Sequence, residues 1–383
     1  MPSTPDRTPE RIRAASRRSA ALGAAVPGAL SLAMGEPDGG TPQDVVEAAV
    51  DALRAGRTRY APFTGSPTLR AALAEQLSGV AGRQMDAAQV VLTHGGSAGL
   101  AATVMALVSA GDQVLVPEPT YSLYPDLVAM AGGQTVWIPP APGGTLDLPA
   151  LAAAAPGARM LILCTPSNPT GRVLTPAELD GVAALLRAHP DLVLLCDEAY
   201  RDIVFDGRPA TTALSLYEFS DQVVVAGTFS KSYAMTGWRL GHVVASPEVA
   251  ARIDLVHRTF NGPLNTVVQD AALAALALPA ADLTRLAEDY QRRRDLVLEH
   301  LTGAPRVDLE TPQGAFYAFP RIHSALTSAQ LTSRLAAGGV LVRDGAEFGP
   351  SGEGHVRLSF ATGEAELAAA LTRFTDVLTA LER

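Results

Sequence analysis

The sequence predicts an α/β protein with a mostly parallel seven-stranded sheet in a large domain, followed by a smaller α+β domain. Three observations predict it. Seven short runs rich in Val, Ile and Leu, at 90–93, 113–116, 135–138, 160–164, 192–196, 223–226 and 240–244, alternate with helical stretches. Strands buried on both faces need such runs, and helices between them favour parallel pairing. After about Pro279 the texture changes to a long charged helix over 281–301, strands at 315–319, 340–343 and 356–359, and a last helix over 364–381. Finally, 383 residues are more than one hydrophobic core usually supports. The expected division is an N-terminal arm over 1–40 that belongs with the small domain, a large domain over 41–279 and a small domain over 280–383.

Helices are expected at 43–55 and 67–77, where Thr41 and Ser66 can cap and Pro42 and Pro67 fit the first turn. Others fall at 97–109, 121–131 and 175–188. Residues 90–111 carry no formal charge, but the turn at Gly95–Gly96 splits them into a strand and a helix too short to span a bilayer. The first twenty residues are basic without an apolar core, unlike a secretory signal. Residues 1–30 read as a polar arm with some helix. Cys164 and Cys196 make neither a disulfide framework nor a metal site, and the histidines lack ligand spacing. A net charge of −9 disfavours nucleic acid. The expectation is a soluble cytoplasmic protein acting on small molecules, with no metal, membrane or nucleic-acid partner.

In open α/β sheets, ligands bind beyond the carboxyl ends of the strands. Polar clusters sit there four times: GGSAG after 90–93, TPSNPTG after 160–164, DEAY after 192–196 and TFSKS after 223–226. Lys231 stands among small hydroxyl residues, with Arg239 eight residues on. An amine that attacks a carbonyl must be partly deprotonated, so it needs a desolvated or cation-rich site. Hydroxyls and an arginine beside it suit a phosphate ester. Gly96, Ser97 and Ala98 open a helix after a strand, where N–H groups and the helix dipole favour an anion. Asp197 ends the apolar run LVLLCD, and buried carboxylates are rare unless paired.

The run FSKSYAMTGWRLG at 229–241 resembles the lysine signature of the class I/II aminotransferases, pyridoxal-phosphate (PLP) enzymes of the type I fold. GEPD at 35–38, YAPFTGSPTLR at 60–70, the GG turn at 95–96, SNPTG at 167–171, CDEAY at 196–200, GAFY at 314–317 and HVRLSF at 355–360 follow the order and approximate spacing of that family. The resemblance spans about residues 32–362. It implies that Lys231 is the Schiff-base lysine and the general acid/base, and that Asp197 pairs with the pyridine nitrogen. Asn168 and Tyr200 match the pair that binds the cofactor's phenolic oxygen. Gly96, Ser97, Ala98, Thr228, Ser230 and Arg239 match the phosphate site. Tyr121 matches the ring that stacks on the pyridine, with Tyr124 as a rival in the same loop. Arg357 matches the α-carboxylate fork, with Gly35 and Asn168 beside it. Tyr60 matches a tyrosine that reaches the phosphate of the other subunit, which implies a homodimer with shared active sites.

The implied activity is transfer of an α-amino group between an amino acid and a 2-oxo acid. The alternative is another PLP reaction, β-elimination or cyclisation, because one fold hosts several. Some relatives that take acidic substrates carry a lysine just after the GG turn, where this chain has Ser97. His94, just before the turn, either faces the cleft or is a satisfied core histidine, and the second reading is preferred.

Overall fold

The computed structural model describes residues 28–381; most of the expected polar arm over 1–30 lies outside them. The central sheet has seven strands: β1 (Val90–Thr93), β2 (Gln113–Pro117), β3 (Gln134–Ile138), β4 (Ala158–Cys164), β5 (Val193–Asp197), β6 (Val223–Thr228) and β7 (Gly241–Val244). Their order across the sheet is β1-β7-β6-β5-β4-β2-β3, and only β7 runs antiparallel to its neighbours. All seven match the apolar runs of the sequence to within two residues at either end.

Alternation along the strands shows why those runs are continuous. Leu161, Leu163, Leu194, Cys196, Val223 and Val225 enter a core on one face of the sheet. Met160, Ile162, Val193, Leu195, Val224 and Ala226 enter a second core on the other. Helices cover both faces, so neither set of positions can be polar. Helix starts follow local chemistry. Ser66 Oγ accepts the Leu69 N–H ahead of Pro67–Ala81, and Thr175 with Glu178 forms a capping box ahead of Pro176–Ala188. Thr41 does not cap its helix. Its hydroxyl donates to the Ala234 carbonyl at 2.7 Å and accepts from the Trp238 indole at 2.9 Å, tying the start of Gln43–Arg54 to the loop after Lys231.

A third core collects Leu32, Tyr290, Val297, Leu301, Phe316, Leu331, Val356, Leu358, Phe374 and Leu378, together with Tyr200, Ile203 and Phe205 from the segment after β5. Thus the loop beyond β5 leaves the sheet and is gripped by the C-terminal elements. There, β8 (Tyr317–Ala318), β9 (Arg343–Asp344) and β10 (Val356–Ser359) form a small antiparallel sheet in the order β8-β10-β9. The strand expected at 340–343 is interrupted at Val342. Val340–Leu341 pairs in parallel with Leu30–Ser31, whereas Arg343–Asp344 pairs with β10. Among the described residues no single helix is long and apolar enough to cross a membrane; residues 90–111 form β1 and the helix Gly96–Leu107.

Candidate active site

Twelve of the fourteen expected site residues line one cavity of about 310 Å³ at the carboxyl ends of β1, β4, β5 and β6: Gly35, Gly96, Ser97, Tyr121, Asn168, Asp197, Tyr200, Thr228, Ser230, Lys231, Arg239 and Arg357. Ala98 sits one residue further into the helix Gly96–Leu107. Tyr60 is elsewhere. It is 91% exposed and lines a neighbouring cavity of about 1070 Å³, which shares Arg239 and Thr236 with the first.

Lys231 follows β6 in a single helical turn, Phe229–Ser232, capped by the Thr228 hydroxyl. It is the only lysine of the chain; every other basic side chain of the Lys/Arg type is arginine. Its Nζ donates to the Gly35 carbonyl at 2.6 Å and lies 5.6 Å from the ring centre of Phe316. Burial lowers its pKa to about 8; Arg357 and Arg239 push the same way, and Glu36 opposes them. Gly35 has to be glycine, because a Cβ there would fall 2.0 Å from the Tyr317 hydroxyl.

Asp197, the last residue of β5, is buried. Its Oδ2 accepts from the Tyr124 hydroxyl at 2.7 Å and its Oδ1 from the Ala199 N–H at 3.1 Å. Burial raises its pKa, while Tyr124, Ala199 and Lys231 lower it. A cationic ring N–H would add to that opposing set. Tyr121 and Tyr124 therefore do different things: Tyr121 lines the cavity and meets Tyr124 edge-on at 5.6 Å, and Tyr124 steers the carboxylate.

An anion cradle forms at the other end. Gly95 has a φ of 79°, and a Cβ there would lie 2.6 Å from Arg239 Nη2, so the guanidinium rests against the turn that opens the helix Gly96–Leu107. Thr228 Oγ1 donates to Ser230 Oγ at 2.9 Å beside this turn. Free helix N–H groups, two hydroxyls and a guanidinium fork are the donor set of a phosphate ester. Half-buried His94 does not lie in a closed core. Its ring stacks on His257 at 5.2 Å, its backbone N–H donates to His257 Nε2 at 3.1 Å, and it lines the neighbouring cavity with Tyr60.

Arg357, in β10, is buried rather than solvent-facing, with Val356 and Leu358 turned into the third core. Its Nη1 donates to Asn168 Oδ1 at 3.2 Å, its Nη2 to the Ala33 carbonyl at 2.5 Å, and its Nε is buried with no partner. The guanidinium stacks on Tyr317, 4.5 Å from the ring centre. Tyr317 also shares a hydrogen bond with Tyr200, Oη to Oη 2.8 Å. Tyr317, in the run GAFY, and Arg343 also line the cavity, and neither carries a role that its local sequence displays.

A lone desolvated lysine facing a buried aspartate, with an anion cradle beside it, fits pyridoxal phosphate group by group: amine to carbonyl, carboxylate to ring nitrogen, cradle to phosphate. This is a PLP-dependent transferase of the aspartate aminotransferase fold. The family model for aminotransferase class I and II matches residues 27–374, and the chain belongs to that family. It is 36% identical to an arginine–pyruvate transaminase of Pseudomonas aeruginosa, over 90% of this chain and 88% of that protein. Among solved structures it is similar to an aspartate aminotransferase from Thermus thermophilus (TM-score 0.88, 33% identity, 98% and 100% of the two chains). An aromatic aminotransferase from Pyrococcus horikoshii matches with a TM-score of 0.90 and 32% identity over 97% and 99%. The chain is thus a PLP-dependent aminotransferase, acting on an amino acid and a 2-oxo acid.

Proposed function

We propose that transamination takes place in the 310 Å³ cavity, with Lys231 as the residue that holds the cofactor and moves the substrate proton. The observation that carries this is the position of the chain's single lysine, half-buried in the helical turn after β6 with an amine that is easily deprotonated. When bound, pyridoxal phosphate supplies an electrophilic carbonyl and a ring that accepts the electron pair left when a Cα–H bond breaks. Lys231, neutral in a useful fraction of molecules at pH 7, takes the proton from the substrate Cα and delivers it again. Asp197, oriented by Tyr124, keeps the ring nitrogen protonated. The turn at Gly96, Ser97 and Ala98 binds the phosphate with Thr228, Ser230 and Arg239. Tyr121 would stack on the ring, and Asn168 and Tyr200 would hold its phenolic oxygen. Arg357 grips the α-carboxylate beside Gly35, and its orphaned Nε–H and its stack on Tyr317 support a site built to receive an anion.

The division of labour also supports the domain boundaries 1–40, 41–279 and 280–383: cofactor groups come from the sheet, and Arg357 comes from the C-terminal elements. Tyr60 has no place in its own chain's cavity. Leu53 (55% exposed), Phe63 (59%) and Phe260 (71%) leave apolar surface uncovered. We infer a cytoplasmic homodimer in which Tyr60 completes the partner's phosphate site. The test of the assignment is a half-reaction. The cofactor-loaded protein, mixed with a single amino acid and no acceptor, should release one 2-oxo acid per site, and Lys231→Ala should release none. Turnover by Lys231→Ala at the wild-type rate would overturn the assignment.

A further inference from the structure

Arg343 is the third arginine of the cavity wall, beside Arg239 and Arg357, and the reaction gives it no task. Its position follows from register. In the antiparallel pair β9–β10, Arg343 stands directly opposite Arg357. Directly opposed residues put their side chains on the same face, with Cβ atoms about 4.5–5.5 Å apart. Like charges in that relation are destabilising. Here the conflict is relieved one turn away: Glu347 Oε2 accepts from Arg343 Nε at 2.7 Å and also from its Nη2. Both side chains are largely buried, 12% and 11% exposed. Two donors of Arg343 thus converge on a single carboxylate oxygen, and no bond to Arg343 Nη1 is seen among the described residues.

We propose that Arg343 is a specificity-determining residue, and that the Arg343–Glu347 pair forms a subsite for a substrate side chain ending in an uncharged oxygen acceptor, such as an amide. The proposal rests on Arg357 holding the α-carboxylate, as argued above. A molecule anchored there has its far end within reach of the next guanidinium on the same face. The remaining Nη1 hydrogens can donate to an oxygen. A second carboxylate gains little, because Glu347 already cancels the charge of Arg343 and would repel it. An alkyl end would leave the donors unmade, which carries a cost in a desolvated site.

Unreactive acids test this on the cofactor-loaded protein, with the absorbance of the bound cofactor as the readout of binding. Three five-carbon probes share one α-anchoring carboxylate: glutaramate ends in an amide, glutarate in a carboxylate and valerate in a methyl group. The four-carbon set of succinamate, succinate and butyrate controls for length. In the wild type, the better-fitting amide should bind about tenfold more tightly than its alkyl counterpart, the effect of one hydrogen bond to a charged donor. It should also bind at least as tightly as the dicarboxylate. Arg343→Met should bring amide and alkyl probes within about twofold. Glu347→Gln, which frees the charge of Arg343, should turn the preference toward the dicarboxylate. A wild type that prefers the dicarboxylate tenfold would overturn the proposal, as would an amide preference that survives Arg343→Met or a ratio that Glu347→Gln leaves unmoved. Failure of the underlying reading looks different: Arg357→Ala would then leave the binding of all the probes unchanged.

Discussion

Because the chain holds one lysine, the protonation of its ε-amine can be read without interference from any other. The perturbation is pH, applied to the cofactor-free protein. Moving the amine from the usual lysine value of 10.5 to about 8 favours the neutral form by about 3 kcal/mol. At pH 7 roughly one molecule in ten would then carry the nucleophilic amine, against about one in three thousand for an exposed lysine. Competitive labelling with trace acetic anhydride, followed by mass spectrometry of the Lys231 peptide, measures this directly. The labelling rate should climb tenfold per pH unit and level off near pH 8. Glu36→Gln should bring the plateau to lower pH, since Glu36 favours the charged amine. A rate still rising through pH 10 in the folded protein would refute the desolvation argument, and with it the reason for placing the chemistry at Lys231.

Other consequences are equally accessible. Tyr124→Phe removes the donor that lowers the pKa of Asp197; activity should fall about tenfold, roughly 1.4 kcal/mol, and the acid limb of the pH profile should move to higher pH, whereas an unmoved limb would detach Tyr124 from the carboxylate. Arg357→Lys keeps a charge but loses the planar fork, so KM for amino acids should rise at least tenfold while cofactor absorbance stays put; loss of cofactor would instead assign Arg357 to the cofactor site. Burial, reinforced by His94, holds His257 at about 4, below the unfolded value of 6.5. The unfolded chain therefore binds the proton first, and stability present above pH 6.5 is lost as pH falls toward 4, by about 2–3 kcal/mol at pH 4.5. Urea midpoints should show a smaller acid loss in His257→Gln, which keeps an acceptor for the His94 N–H; an equal loss would exclude His257 as its source. Finally, Tyr60→Ala mixed with Lys231→Ala should regain one native site per heterodimer once subunits exchange, and activity no higher than the two parents together would reject the shared site.

The parts of this fold that the sequence displays are those with a local cause. A strand buried on both faces must be apolar at every position, so β4, β5 and β6 stand out unaided. A proline at the first turn and a capping Ser or Thr mark the helices Pro67–Ala81 and Pro176–Ala188. Tertiary pairing is different. The break at Val342 arises because Val340–Leu341 and Arg343–Asp344 bond to different strands, one of them near the other end of the described chain. That partner choice decides which face Arg343 occupies, and it leaves no mark in the local pattern. Tyr317 was hidden for the same reason, since its role depends on Gly35, Tyr200 and Arg357, all remote in sequence. Tyr124 was separable from Tyr121 only by the burial of one face of the helix Leu123–Met130. The uniqueness of Lys231, by contrast, was readable from composition alone.

Lys231 is the one lysine to which the cofactor can attach. Borohydride reduction of the yellow protein, followed by peptide mapping, measures that attachment in one step. The expected result is one phosphopyridoxyl group per chain, carried on the peptide that contains Lys231, with the colour lost in parallel. Recovery of the group on the chain's α-amino group, or a reduced protein that releases all its cofactor on unfolding, would contradict it.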